Sequence, residues 1–424
     1  MNQETYQTYL DILHEELIPA MGCTEPIAVA YAGALARSVL GEYPETVELA
    51  VSGNIIKNVK SVVVPHTGSR KGLVTAVAAG ICYGDEKKEL EVFSEATQEQ
   101  IAGLDEYLKA AKITVRKSEC ECSFDIQVTA RSSENQAFLR ITGNHTNVVQ
   151  IKRNDEVLLD KPFTDCVVQC PKNREALNIK DIVAFADEAN TDDLREVLQR
   201  QINCNMRIAE AGLSGHYGAE IGKTLLRSYG NSVQNRAKAW TAAGSDARMN
   251  GCELPVVINS GSGNQGMTAS IPVIVYAREC NVSDDLLFRA LAVSNLVTIH
   301  LKSGIGCLSA YCGATSAGAG AGAGICYLYG GRYEQIAHTI VNTLAINSGM
   351  LCDGAKASCA AKIASAVEAG LLGWQMDQHD CQFYSGEGII VKGVENTIKV
   401  VSDLARDGMR SMDTEIIKLM LAND

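Results

Sequence analysis

The sequence predicts an α+β fold, a mostly α-helical body with a smaller α+β domain inserted into it. Two observations predict this. From Asn178 onward, apolar residues recur at helical spacing almost without a break. Between Thr46 and Cys166, short β-branched runs alternate with polar residues and turn signals instead. The N-terminal helical segments are assigned to the C-terminal half. The expected domains are therefore residues 1–43 with 171–424, and an insertion over 44–170, with Pro171–Asn173 as its exit linker.

In chain order, Glu4–Leu17 puts Tyr6, Leu10, Leu13 and Leu17 on one face of an amphipathic helix, and Pro19 and Gly22 end it. Thr24 is the expected N-cap of a second helix to about Leu40, with Pro26 in its first turn. Cys23 sits just before that start, where free N–H groups and the helix dipole favour a thiolate. Val47–Val51 alternates like a strand, and Val59–Val64 is largely β-branched. The loop Pro65-His66-Thr67-Gly68-Ser69-Arg70-Lys71-Gly72 leads into a helix to about Ile81. Strand, loop and helix start form an anion seat, although the nucleotide P-loop spacing is absent. Strands are expected at Glu89–Phe93, Ile113–Lys117, Ser123–Ala130, Ala137–Thr142 and Asn147–Lys152, with a helix at Thr97–Ala111. Ile179–Glu188, Thr191–Gly212, Gly218–Tyr229, Ser232–Met249 and Ser283–Lys302 read as helices.

A chain of 424 residues can bury a large core and accommodates two domains. A net charge of −12 argues against nucleic-acid or anionic-membrane partners. Ser303–Gly331 carries no Asp, Glu, Lys or Arg, yet its Gly and Ala make it only weakly hydrophobic. It is expected inside a soluble protein, not across a membrane. The polar, acidic N-terminus has no signal-peptide pattern. Fifteen cysteines without such a signal point to reduced thiols and a cytoplasmic location.

Ser260-Gly261-Ser262-Gly263-Asn264-Gln265-Gly266 contains G-x-G-x-x-G after the apolar Pro255–Asn259. A dinucleotide site also needs a βαβ unit and an uninterrupted helix after the glycines. Pro272 is expected to break that helix, and no strand–helix series surrounds it. The backbone N–H groups, with Ser260, Ser262, Asn264 and Gln265, suit a carboxylate or ammonium instead. A plain Gly-rich turn is the other reading. Gly318, Gly320, Gly322 and Gly324 alternate with alanine. Such a strand would be flat, and a helix loses about 1 kcal/mol per Gly relative to Ala. A slim helix at the centre of a bundle recovers that by close backbone approach and leaves room beside it for a bulky group.

Most of the cysteines are expected to be inert core residues. Cys312, Cys352 and Cys359 stand out in small, nearly chargeless surroundings. One continuous helix would separate the last two by roughly 10.5 Å along its axis. Cys352 is therefore expected in a bent loop between Gly349 and Gly354, with Asp353 capping a helix that carries Cys359. Structural zinc favours C-x2–4-C pairs and four ligands, whereas iron–sulfur clusters accept thiolates at varied spacings. Spacing alone leaves a metal role and buried inert thiols both open.

Five pieces carry a family resemblance: M-G-C-T-E-P at 21–26, P-H-T-G-S-R-K-G at 65–72, N-S-G-S-G-N-Q-G at 259–266, Y-C-G-A-T-S-A-G-A-G at 311–320 and C-D-G-A-K-A-S-C at 352–359. In this order and over nearly the whole chain, they resemble the L-cysteine desulfidase family, related to the iron–sulfur L-serine dehydratase α chain. The resemblance implies an oxygen-labile [4Fe-4S] cluster, with Cys312, Cys352 and Cys359 as its ligands and Cys23 as the active-site cysteine. In the dehydratase relatives the last two ligands lie further apart and a proline precedes the final one. Here Ser358 stands there, which favours the desulfidase branch.

The implied reaction is β-elimination from a small L-amino acid. L-Cysteine would give sulfide, pyruvate and ammonia, and L-serine would lose water. An open iron would act as a Lewis acid on the leaving group, so no pyridoxal cofactor (PLP) is needed. Cys23 is the first candidate for the base that takes the Cα proton, and His66 the second. Thr24, Glu25, Thr67, Ser260, Ser262, Asn264 and Gln265 are the candidate substrate-binding residues, and Arg70 and Lys71 are alternatives for the carboxylate. The partners expected are the amino-acid substrate and, compatibly, a second copy in a homodimer. The rivals are an L-serine dehydratase with the same cluster, a non-catalytic iron–sulfur or amino-acid sensor, and a nicotinamide enzyme using Gly261–Gly266.

Overall fold

The computed structural model describes residues 1–120, 122–163, 172–306 and 308–422. Cys166 and Pro171, at the expected end of the insertion, lie outside them. The chain opens with α1 (Gln3–Glu16), β1 (Pro19–Met21), α2 (Thr24–Leu40), β2 (Thr46–Val51), α3 (Gly53–Val59), α4 (Leu73–Tyr83), α5 (Gln98–Ala102) and α6 (Leu104–Ala110). The strands β3 (Lys112–Lys117), β4 (Asp125–Arg131), β5 (Gln136–Thr142), β6 (Val148–Arg153) and β7 (Glu156–Asp160) follow. Then come α7 (Ile179–Glu188), α8 (Thr191–Ser214), α9 (Ile221–Tyr229), α10 (Val233–Met249), β8 (Pro255–Val257), α11 (Gly263–Glu279) and α12 (Asp284–Ser303). The chain closes with α13 (Ala314–Leu328), α14 (Tyr333–Ile346), α15 (Cys359–Gln378), α16 (Val394–Asp403) and α17 (Arg410–Ala422). No described helix is long and apolar enough to cross a membrane.

The fold is α+β with a mostly helical body. Among the described residues, a six-stranded sheet runs β3-β2-β4-β5-β6-β7, parallel only between β2 and β3. Strict alternation puts Ile126, Val128 and Ala130 of β4, and Ala137, Leu139 and Ile141 of β5, on one buried face. That face packs on α2, which is buried nearly all round. A second, two-stranded sheet pairs β1 with β8, Pro19 opposite Val257 and Met21 opposite Pro255. It ties the start of α2 to the start of α11.

The Gly-Ala repeat is the central helix α13. Glycines four apart share a face, and alternate glycines lie on opposite sides. A Cβ on Gly318 would meet Ala366 O at 2.3 Å, and one on Gly322 would meet Gly370 O at 2.6 Å. The two numbers rise together, so α13 and α15 run parallel in backbone contact. On the other side Gly320 meets Ser294 O and Gly324 meets Ala290 O, so α12 runs antiparallel.

Several local expectations give way to packing. Glu89–Phe93 belongs to a 3-10 turn over Glu86–Glu91, not a strand. Thr97–Ala111 is two short helices divided at Gly103. Val59 is the last residue of α3, and beyond it Val63 makes only an isolated bridge to Lys71. Its apolar run reflects burial on all sides, which β-branching alone does not distinguish from a strand. Cys23, not Thr24, is the N-cap of α2. Helix α11 continues through Pro272. An interior proline costs about 3 kcal/mol, and the packing of α11 against α8, α10, α12 and α13 overrides it.

Candidate active site

Among the described residues, α2, α11, α13 and α15 all begin at one cavity of about 110 Å³. Each helix start leaves backbone N–H groups unpaired and carries a partial positive charge. Four together make a site suited to thiolates and anionic ligands. Three devices gather them. The β1–β8 pairing and the bond from Thr24 Oγ1 to Gly261 O, 2.9 Å, bring the start of α2 to the loop before α11. The glycine seam brings the start of α13 to that of α15. An isolated antiparallel bridge between Tyr311 and Leu351 joins the two loops that precede them.

That bridge places two thiols. Cys312 N–H donates to Met350 O at 3.0 Å, and Cys352 N–H to Ala310 O at 2.7 Å. The two cysteines are thus diagonal neighbours on one face, a relation that spaces residues by about 7–8 Å. Cys359 is the first residue of α15, and Cys23 packs with it beside Val62 and Met249. All four thiols line the cavity and are free. Burial pushes Cys312 up to about 12, and the Cys352 thiol adds to it. Burial also raises Cys359, against nearby N–H groups and lysines.

Two sulfurs on one zinc, each at about 2.3 Å, stand no more than about 4.6 Å apart. Among the described residues no three His, Cys, Asp or Glu side chains lie close enough to hold one metal ion. The donor set and its wide diagonal fit a cluster of several atoms, to which each thiolate gives one bond. Metal binding would take the thiol protons, as it does at thiolate sites generally.

Cys23 is 2% exposed, and its thiol donates to Glu25 Oε2 at 3.2 Å. Glu25 also accepts from Thr24 Oγ1 at 3.1 Å and Asn58 Nδ2 at 3.0 Å. Burial first, then the Glu25 charge, raises Cys23 well above the usual thiol range, against an opposing pull from Arg248. The expected thiolate is therefore a protonated thiol here, because desolvation and a neighbouring carboxylate outweigh the helix start.

Ser260, Ser262, Asn264 and Gln265 line the same cavity, with Arg248, His145 and Tyr311. Asn264 Oδ1, Gln265 Oε1, His145 Nε2, and Arg248 Nε and Nη2 are buried without a hydrogen-bond partner. So many orphaned polar atoms around one small cavity mark a wall built for a polar ligand.

The serine dehydratase alpha chain family model matches residues 87–418. The chain belongs to that family. The chain is also 53% identical to a UPF0597 protein of Desulfitobacterium hafniense, over 98% of this chain and 97% of that one. It is 47% identical to a UPF0597 protein of Lachnoclostridium phytofermentans over 98% and 100%, and 44% identical to one of Treponema denticola over 99% of each. The serine dehydratase alpha chain family points to a serine dehydratase-like lyase and is generally iron–sulfur dependent.

Within this member of the family, not every residue expected at the site reaches it. His66 does not line the cavity. Its Nδ1 lies 3.3 Å from Glu253 Oε1 and its ring meets Phe93 edge-on. Burial lowers its pKa, and Glu253 opposes that. Thr67 donates to Val64 O at 2.7 Å inside its own loop, and Arg70 pairs with Asp105 at 2.5 Å. Thr67 and Arg70 are thus engaged away from the cavity, which no residue of the 65–72 loop lines. Thr24 buttresses Glu25 and Gly261 without lining the cavity. Asp353 does not cap α15, whose N-cap is Ser358; it pairs with Lys356 at 2.5 Å and with Lys362. The G-x-G-x-x-G segment follows an antiparallel strand, β8, so no βαβ unit is present there.

Sequence reasoning missed His145 and Arg248. His145 lies in the turn between β5 and β6, its ring edge-on to Phe124 at 4.8 Å. Burial lowers its pKa, so it is a neutral imidazole. A polar turn G-N-H-T-N gives no sign of this, because the burial comes from the body against which the turn packs.

Proposed function

We propose that this protein is an iron–sulfur-dependent lyase that performs β-elimination on a small L-amino acid, foremost L-cysteine. One observation carries the reading. Cys23, Cys312, Cys352 and Cys359, far apart in the chain, line one cavity at the convergence of helix starts. In this reading Cys312, Cys352 and Cys359 hold a [4Fe-4S] cluster. When bound, such a cluster supplies a Lewis acid for the departing sulfur or oxygen.

The chain's own residues supply the rest. Cys23 passes its proton to Glu25, which already accepts its hydrogen bond, and the thiolate then takes the Cα proton. The Cα–H electron pair forms the Cα=Cβ bond as the β-substituent leaves. The resulting enamine tautomerises and is hydrolysed by water to pyruvate and ammonia. Asn58 and Thr24 keep Glu25 in place through their hydrogen bonds. Ser260, Ser262, Asn264 and Gln265 orient the substrate, and residues 44–163 belong to an inserted unit that closes the cavity with His145.

A second reading, dehydration of L-serine, is favoured by the family description. The test is anaerobic reconstitution with iron and sulfide, then iron analysis and pyruvate formation from L-cysteine and from L-serine. The expected result is iron uptake and turnover, with faster reaction on cysteine. Pure protein that takes up no iron sinks the proposal. Faster reaction on serine selects the second reading.

A further inference from the structure

We propose that Arg248 and the first turn of α11 form the seat for the substrate's α-carboxylate, with Asn264 and Gln265 receiving its ammonium. The identity of the ligand rests on the lyase reading above. The seat itself rests on separate observations.

Arg248 lies in the last turn of α10 and is 1% exposed. Its Nε and Nη2 have no hydrogen-bond partner. A guanidinium does not shed its proton to escape burial, so a buried one calls for an anion. Other cations at the cavity are already engaged. Lys57 pairs with Asp413, and Lys362 with Asp353.

Gly263 fixes where the guanidinium lies. A Cβ there would stand 2.5 Å from Arg248 Nε and 2.9 Å from its Cζ. The guanidinium therefore rests against the first residue of α11, a helix of 17 residues whose N-cap, Ser262, makes no side-chain capping bond. The open N–H groups of a helix start and the Arg248 fork converge on one spot, a geometry matched to a carboxylate. Asn264 Oδ1 and Gln265 Oε1, buried acceptors without donors, lie on the same turn. Anion seat and acceptors side by side select a zwitterion over a simple acid. Cys312, Cys352 and Cys359 line the same cavity, where the β-substituent would point.

Calorimetric titration of the full chain tests this, with L-alanine as a substrate mimic lacking a leaving group and L-alaninamide lacking the carboxylate. L-Alanine is expected to bind at least tenfold more tightly than the amide. Arg248→Met is expected to abolish that difference, with Arg248→Lys intermediate and iron uptake unchanged in both. Should Arg248→Met fail to fold, Arg248→Gln, which stays polar but carries no charge, is expected to remove the same preference. Equal binding of alanine and alaninamide by the unaltered protein overturns the seat, as does an Arg248→Met protein that keeps the preference. Preference without turnover supports the seat and counts against the lyase. Turnover with an unchanged KM in Arg248→Met does the reverse.

Discussion

The Cys23 thiol points its hydrogen at Glu25 Oε2, 3.2 Å away, although Cys23 occupies a helix N-cap. A helix start usually favours a thiolate; here a buried carboxylate two residues on holds the proton in place.

Replacing that carboxylate separates the two influences. Glu25→Gln keeps the shape but removes the charge that raises the thiol. The pH midpoint for alkylation of the Cys23 peptide, read by mass spectrometry on metal-free protein, is expected to move to lower pH. Turnover is expected to fall at least tenfold, since the proton acceptor is gone. An unmoved midpoint would show that burial alone sets the thiol.

The ligand proposal divides the cysteines into two groups. Cys312→Ala, Cys352→Ala and Cys359→Ala are each expected to bring reconstituted iron below a third of the unaltered level. Cys326 is buried in α13 but does not line the cavity, so Cys326→Ala is expected to keep full iron. Equal iron in all four variants would remove the assignment.

The glycine seam sets the separation of Cys312 from Cys359. A Cβ on Gly370 would lie 2.2 Å from Gly318 O, a backbone atom that cannot swing aside. Gly370→Ala is expected to destabilise by about 1–3 kcal/mol, the range for overpacking, and to lower iron content by forcing α13 and α15 apart. Gly349→Ala meets nothing within 4 Å and is the control. Urea unfolding and iron analysis on both variants check this.

The seam also shows what a sequence can reveal. The Gly-Ala repeat pointed to a thin central helix because small residues at helical spacing have few other uses, and the long helices α8, α10 and α12 follow their apolar period. Strand β7 was missed because it is a short sheet edge with Glu156, Val157 and Leu158 exposed, so it does not alternate. The thiols and the polar turn at 260–265 were visible as motifs. Arg248 was not, because an arginine in an Ala-rich helix reads as a surface charge until α10 is packed beside α11. His66 attracted notice through its Gly-rich loop, which serves its own turn and Glu253.

Asp246 predicts a pH dependence outside the cavity. Burial raises its carboxyl to about 6, against the N–H groups of Gly222 and Ile221 that lower it. An unfolded aspartate titrates near 3.9. The folded chain thus binds this proton more tightly, and stability falls as pH rises from about 4 through about 6. The loss amounts to about 2–3 kcal/mol. Asp246→Asn keeps an acceptor for Gly222 N–H, 3.0 Å away, and never ionises. Its Tm is expected to exceed that of the unaltered protein at pH 7.5 and to match it at pH 4. A constant difference at both values would refute the ionisation argument.

The C-terminal helix is expected to matter for the cluster, although it brings no ligand. Lys57 is 2% exposed, and its Nζ bonds Asp413 of α17 at 2.5 Å and Cys352 O at 3.4 Å. Removing one partner of a buried pair leaves an uncompensated charge, at about 3–5 kcal/mol. Asp413→Ala is expected to destabilise by about 3 kcal/mol and to loosen the Cys352 loop. In Lys57→Met/Asp413→Leu no buried charge remains, so stability returns, yet the bond to Cys352 O is still missing. Iron retention under mild chelation is therefore expected to stay low in the double variant while its Tm recovers. Recovery of both would make the pair a packing element with no hold on Cys352.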